Sequence, residues 1–231
     1  MSDLLGYTPR MQRISLSLMA LACALVPAAA AENQIWTAAG VSVEPFANKA
    51  IDLDLDADLR YQPDGDLDTI EFKPGIGYRI NDRFKVSGGY LWGSTRQQGP
   101  DRIEHRLWQQ VSYDFTEAWS LEFDGRTRLE QRRREGWDDT GLRLRQEFGV
   151  KRPLEGTPFE LSLSTDLYFE LNDTDWGQSD GFTEARTEAK IEWDASETVS
   201  WDFGYLNQFE YERNGPDETN HHIMIGVSKD F

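Results

Sequence analysis

IDLDLDADLRY, residues Ile51–Tyr61, alternates without a break. Side chains of an extended strand point to opposite sides in turn, so Ile51, Leu53, Leu55, Ala57, Leu59 and Tyr61 share one face. Asp52, Asp54, Asp56, Asp58 and Arg60 share the other. One face is wholly apolar and the other wholly charged, so the two faces need different surroundings a strand's thickness apart. A bilayer outside and a wet lumen inside is one such pair.

The same period recurs along most of the chain. Period-two segments fall at Gln34–Val43, Ile51–Tyr61, Thr69–Ile80, Phe84–Gly93, Arg102–Phe115 and Trp119–Arg132. They continue at Gly141–Lys151, Phe159–Leu171, Thr183–Asp194, Val199–Glu212 and Asn220–Phe231. By the alternation criterion these are about eleven strands with no helical period between them. Tight connections at Asn81–Arg83, Thr116–Ala118 and Ala195–Glu197 alternate with longer ones rich in Gly, Asp and Pro. The longer ones are Gln62–Asp68, Thr95–Asp101, Glu135–Thr140, Asp173–Asp180 and Asn214–Thr219. Phe84, Tyr113, Phe115, Trp119, Trp193, Trp201 and Phe231 cluster towards the tight turns. Tyr61, Phe72, Trp92, Phe169 and Tyr211 cluster towards the long loops. Alternating turn lengths and two aromatic bands are marks of a membrane barrel.

The N-terminus carries a targeting pattern. Arg10 and Arg13 precede an apolar run from Ile14 to Val26, and Ala29-x-Ala31 offers a cleavage site, so the mature chain is expected to begin at Glu32. Met11 is an alternative start. Cys23, the one cysteine, lies within this segment, so no disulfide or thiolate site is expected in the mature protein. A lipoprotein reading of Cys23 fits poorly, because Ala20 stands where Leu is usually wanted. The net charge of −17 argues against nucleic acid as a partner. A hydrophobic fraction of 39% suits a folded chain.

The fold class expected is therefore an all-β, antiparallel transmembrane β-barrel of about ten to twelve strands as one domain over 32–231, in the bacterial outer membrane. A soluble periplasmic barrel is the alternative, since it too alternates, with its apolar face inward. The last strand ends on Phe231 with Ile223, Ile225 and Val227 on its face, which resembles the C-terminal signature that barrel assembly machinery reads; Lys229 interrupts it. Strand parity is the open point. Even counts are usual. Closing eleven strands requires a parallel seam.

Gln34-Ile35-Trp36, Glu104-His105-Arg106 followed by Trp108-Gln109-Gln110, Arg126-x-Arg128-x-Glu130 and Leu142-Arg143-Leu144-Arg145 occur in that order. Together they resemble an uncharacterised family of bacterial outer-membrane proteins known as a domain of unknown function. The resemblance implies an outer-membrane barrel and no particular activity.

Three successive polar faces are basic: Arg102 and Arg106, then Arg126, Arg128 and Arg132, then Arg143, Arg145 and Lys151. Glu104, Glu122, Asp124, Glu130 and Glu147 are interspersed. The Asp52, Asp54, Asp56 and Asp58 ladder lies on another part of the wall and is expected to oppose the arginines across a narrow lumen. Glu184, Glu188, Glu192, Asp202, Glu210 and Glu212 fall on the later strands. Such a lumen reads either as a salt-bridge network that holds the wall together or as a porin-like, Arg-lined path for anionic solutes. Its surroundings are expected to be outer-membrane lipid and lipopolysaccharide.

Catalysis has little support. Some outer-membrane lipid hydrolases use a His-x-Ser pair, but Leu107, Ile223 and Met224 stand two residues after His105, His221 and His222. His105 and Gln109 fall on the apolar face, which suggests a local bulge or a position at the membrane interface. No cofactor is expected. Asp52-x-Asp54-x-Asp56 mimics a calcium loop but lacks its Gly and Glu positions, and Asp64, Asp66 and Asp68 read as a solvated loop. Gly88-Gly89 reads as close backbone approach within a strand.

Overall fold

The computed structural model describes residues 33–46, 50–118 and 120–231. The segment expected to act in targeting, with Met11 and Cys23, lies outside them, as does Trp119. The strands are β1 (Gln34–Val43), β2 (Ile51–Tyr61), β3 (Leu67–Asn81), β4 (Phe84–Thr95), β5 (Arg102–Ala118) and β6 (Leu121–Arg134). They continue with β7 (Thr140–Pro153), β8 (Phe159–Glu170), β9 (Gly181–Ser196), β10 (Val199–Glu210) and β11 (Glu218–Asp230). Each pairs with its neighbours in sequence, and β1 closes on β11 into an eleven-stranded barrel.

The closure settles the parity question and corrects a purely antiparallel reading. β1 pairs antiparallel with β2 but parallel with β11, from Gln34↔His222 to Ser42↔Asp230. Parallel pairing is slightly weaker per residue. Side chains reinforce the seam from inside. The indole of Trp36 on β1 stacks on His222 of β11, with centroids 4.8 Å apart. Arg60 and Arg186 lie over the same indole at 4.1 and 5.0 Å. His222 Nδ1 accepts the Gln34 N–H at 3.1 Å. Its other nitrogen therefore carries the proton and donates to Gln208 Oε1 at 2.9 Å. At the far end of the seam the Phe231 N–H donates to Ser42 O at 3.0 Å. Lys229 tolerates its place near that end by laying Nζ over the Phe231 ring at 4.4 Å.

The faces divide as the alternation requires, and the apolar one points outward. Leu55, Ile76, Leu107, Ile191, Phe203 and Ile223 are exposed on the outside, Leu55 at 51% and Phe203 at 48%. Inside, Glu71, Glu104, Arg128, Glu130, Arg132, Arg143 and Asp166 are buried. Two turns are shifted from their sequence-based positions: β5 runs on through Ala118, and β9 through Ser196. Ser120 makes the β5–β6 turn with φ 60°.

The bulge expected around His105 is absent. The β4–β5 register is continuous from Phe84↔Tyr113 to Thr95↔Arg102, and the β5–β6 register breaks only between Asp114 and Thr116. His105 and Gln109 face outward in regular strand because the outside of this wall carries polar partners for them.

Gly89 shows the close approach read from the sequence. A Cβ there would lie 2.3 Å from Pro74 O and 2.6 Å from the buried Trp108 ring, which fills the lumen beside it. Gly89→Val is expected to cost about 1–3 kcal/mol by overpacking. Chemical denaturation of the refolded barrel measures it, and an unchanged midpoint refutes the packing argument.

Candidate functional site: an arginine-collared lumen

Glu130 anchors the centre of the wall at 2% exposure. Because β6 and β7 are antiparallel neighbours, Glu130 sits directly across from Arg143. Its Oε2 accepts from Arg143 Nη2 at 2.5 Å and Nε at 2.9 Å, and its Oε1 accepts from Arg145 Nη1 at 3.3 Å. Glu104 is a second hub. It accepts from Arg106 Nε at 2.5 Å, from Arg132 Nε and Nη2 at 2.9 and 3.1 Å, and from Arg134 Nε at 3.0 Å. Arg132 also reaches Glu170 at 2.9 Å. Asp166 binds Arg145 and, at 3.3 Å, Arg126, which also holds Glu147 at 2.6 Å. Arg–carboxylate pairs of this kind combine charge with fixed geometry.

The arginines thus pair mainly with acids on their own and adjacent strands, which corrects the picture of opposition across the lumen. The aspartate ladder has separate partners. Asp52 and Asp54 meet Lys85 at 2.6 and 3.8 Å, and Asp56 meets Lys73 at 2.9 Å. These lysines stand on β3 and β4, within a strand or two of the ladder, so short side chains reach them directly. Asp58 lines the central cavity. Arg102 sits at the long-loop mouth and donates to Thr95 Oγ1 at 3.3 Å.

Several lumenal residues escaped the sequence reading. Arg186 on β9 pairs with Glu184. The ring of Tyr168, 1% exposed, is flanked by Arg143, Arg145 and Arg186 at 5.1, 4.5 and 4.9 Å. Both obey the alternation of their strands, so that period was the available signal. Trp176 and Gln178 come from a connection read only as a loop. They fold inward over the long-loop mouth, and Gln178 Nε2 donates to Asn172 O at 3.0 Å. The Trp176 ring lies under Arg134 at 4.0 Å. Gly141 makes room, since a Cβ there would come within 2.6 Å of both residues. A lone Trp in a Gly- and Asp-rich loop was the hint.

Two cavities open in the lumen. One, of about 570 Å³, lies below the long loops. The other, of about 260 Å³, lies deeper. Arg60, Arg106, Arg143 and Arg186 line both, forming a collar between them. Glu71 ties Arg60 to Arg106, at 3.2 Å each. The deeper cavity is lined by nine Lys or Arg against four Asp or Glu, a local reversal of the chain's −17. Arg128 is its least neutralised cation. Nε donates to Gln110 at 2.8 Å, the Trp108 ring lies 4.7 Å away, and the nearest carboxylate oxygen, of Glu130, is at 3.8 Å.

Residues 33–220 match the family described as Protein of unknown function (DUF2490). The chain belongs to that family. An uncharacterised protein of Methylorubrum extorquens is 30% identical over 164 residues, covering 70% of this chain and 72% of the relative. Three of the motifs that carried the resemblance supply this network, with Glu104 and Glu130 as its hubs and Arg106, Arg143 and Arg145 bound to them, while Gln34-Ile35-Trp36 lies at the β1–β11 seam. Among the described residues, no group of three or more His, Cys, Asp or Glu is arranged to hold a metal ion. Asp68 is engaged by Gln34, Gln62 and Thr69.

Proposed function

We propose that this DUF2490 member is a bacterial outer-membrane β-barrel whose lumen forms a narrow, anion-preferring pore. The reversal of faces carries the reading. A soluble barrel buries its apolar residues and exposes its charges, whereas this barrel turns most of its large apolar side chains outward and most of its charges inward. Rings of one charge set selectivity in pores. The collar supplies that ring, and the under-neutralised Arg128 supplies a resting point beyond it. The long-loop mouth and the inward-folded Trp176 segment limit access to small solutes.

The test is single-channel recording in planar bilayers under a salt gradient. The reversal potential is expected to favour the anion. The double variant Arg60→Ala/Arg186→Ala, which removes half of the collar, is expected to lower anion preference about tenfold, the size expected for losing one or two charge-assisted contacts. A cation-favouring wild type refutes the anion preference.

A second reading has its own observation. The clusters around Glu104 and Glu130 are tight enough to seal a structural barrel. Absence of conductance, with insertion verified, selects it.

A further inference from the structure

The outside of β4–β7 combines polar side chains with an apolar trough; an outward Tyr–His pair also occurs on β10–β11, where Tyr205 meets His221 at 2.5 Å. Near the long-loop end, the Tyr90 hydroxyl meets His105 Nδ1 at 2.5 Å, and His105 Nε2 meets Glu135 at 3.2 Å. Arg133 pairs across the ladder with His105, points outward, is exposed, and has no carboxylate partner among the described residues. One step down, Gln131 and Gln109 exchange reciprocal amide hydrogen bonds at 3.0 and 3.3 Å. Each amide keeps a spare N–H and a spare lone pair.

Below the amides the surface is concave. A groove of about 630 Å³ is floored by Gly88, which has no side chain to fill it. Its apolar walls are Ile76, Val86, Val111, Leu129 and Leu144. Arg133 and Leu129 are four positions apart, roughly 13 Å of strand. In order of depth the face presents a cation, then amides, then an apolar trough. An acylated lipid with a phosphorylated headgroup presents the complementary order: phosphate, amide or hydroxyl linkage, hydrocarbon.

We propose that this face holds one molecule of lipopolysaccharide, with a lipid A phosphate on Arg133, an acyl linkage on the Gln109–Gln131 pair and an acyl chain in the Gly88 groove. The assignment rests on the outer-membrane reading, in which the long loops and Arg133 lie in the lipopolysaccharide leaflet. Charge complementarity selects this occupant: in an acidic chain, an unpaired outward arginine stands at the polar end of an apolar trough. Uncompensated polar groups on a lipid-exposed face are costly, which favours an occupant that bonds them.

The full mature chain, inserted into phosphatidylcholine nanodiscs with trace lipid A or trace phosphatidylglycerol at equal mole fraction, tests this. Heat-modifiable gel migration verifies insertion, and native mass spectrometry counts retained lipid. One lipid A per barrel is expected, retained about tenfold over phosphatidylglycerol. Arg133→Ala, which removes the cation, and Val111→Trp, which fills the trough from an outward position, are each expected to abolish that preference without altering migration. Equal retention of the two lipids overturns the proposal, as do unaffected variants. Dimers lost on Val111→Trp also overturn it, by making a second copy the occupant. A barrel that inserts but ignores lipid A overturns this site alone, whereas a chain that does not insert overturns the membrane reading and the site with it.

Discussion

Glu130→Ala is expected to destabilise the barrel by about 3–5 kcal/mol, because removing one member of a buried ion cluster leaves the others uncompensated. Glu130 is 2% exposed and takes three hydrogen bonds from two arginines, with Arg128 close behind. Without it, three guanidinium groups repel one another in a confined space. Glu130→Gln keeps the volume and one acceptor oxygen, so it should fall between wild type and Glu130→Ala. Urea unfolding in vesicles measures both. Asp64→Ala, in an exposed loop, serves as a control with an effect within about 0.5 kcal/mol. If Glu130→Ala behaves like that control, the lumenal network does not hold the wall together. The same variant should strengthen anion preference in bilayers, since it removes a negative charge beside the collar. A stability loss without a selectivity change would favour the sealed structural barrel.

Phe203→Arg separates the proposed bilayer location from an aqueous one. Phe203 lies mid-strand on β10 between Ile191 and Ile225, facing out at 48% exposure. At the midplane of a membrane barrel an outward arginine costs about 2–4 kcal/mol. In water, the same change on an exposed side chain is worth about 0.5 kcal/mol or less in either direction. Folding yield into lipid vesicles, compared with Phe203→Leu, reads the difference. A variant that folds as well as wild type sinks the membrane reading. Residues nearer the ends of the strands, such as Trp193 and Trp201, should show smaller penalties when charged, because the cost falls towards the interface.

Much of the fold was legible in one dimension. A period of two is a purely local property of extended backbone, so Ile51–Tyr61 and its ten counterparts could be recognised from residue order alone. The basic faces of β5, β6 and β7 were legible for the same reason, since sequential antiparallel strands bring Arg106, Arg128 and Arg145 onto one wall. What alternation cannot specify is partner identity. Lysines one and two strands away, Lys73 and Lys85, took Asp56 and Asp52 away from the arginines. The position of Trp176 depended on a loop folding back over the mouth, and loops carry no period. His105 and Gln109 broke the pattern in regular strand, and only the register revealed Gln131 and Tyr90 as their outward partners.

By itself, the sequence determined ten to twelve alternating strands with an apolar face opposed, on most of them, by a polar or charged one, because those follow from how successive side chains project from extended backbone. The tertiary structure alone decided that the apolar faces point outward and that β1 closes on β11 in parallel. It also decided that four arginines from β2, β5, β7 and β9 meet in a collar. These depend on the direction in which a sheet curls and on contacts between strands far apart in the chain, and neither is written in any local stretch of residues.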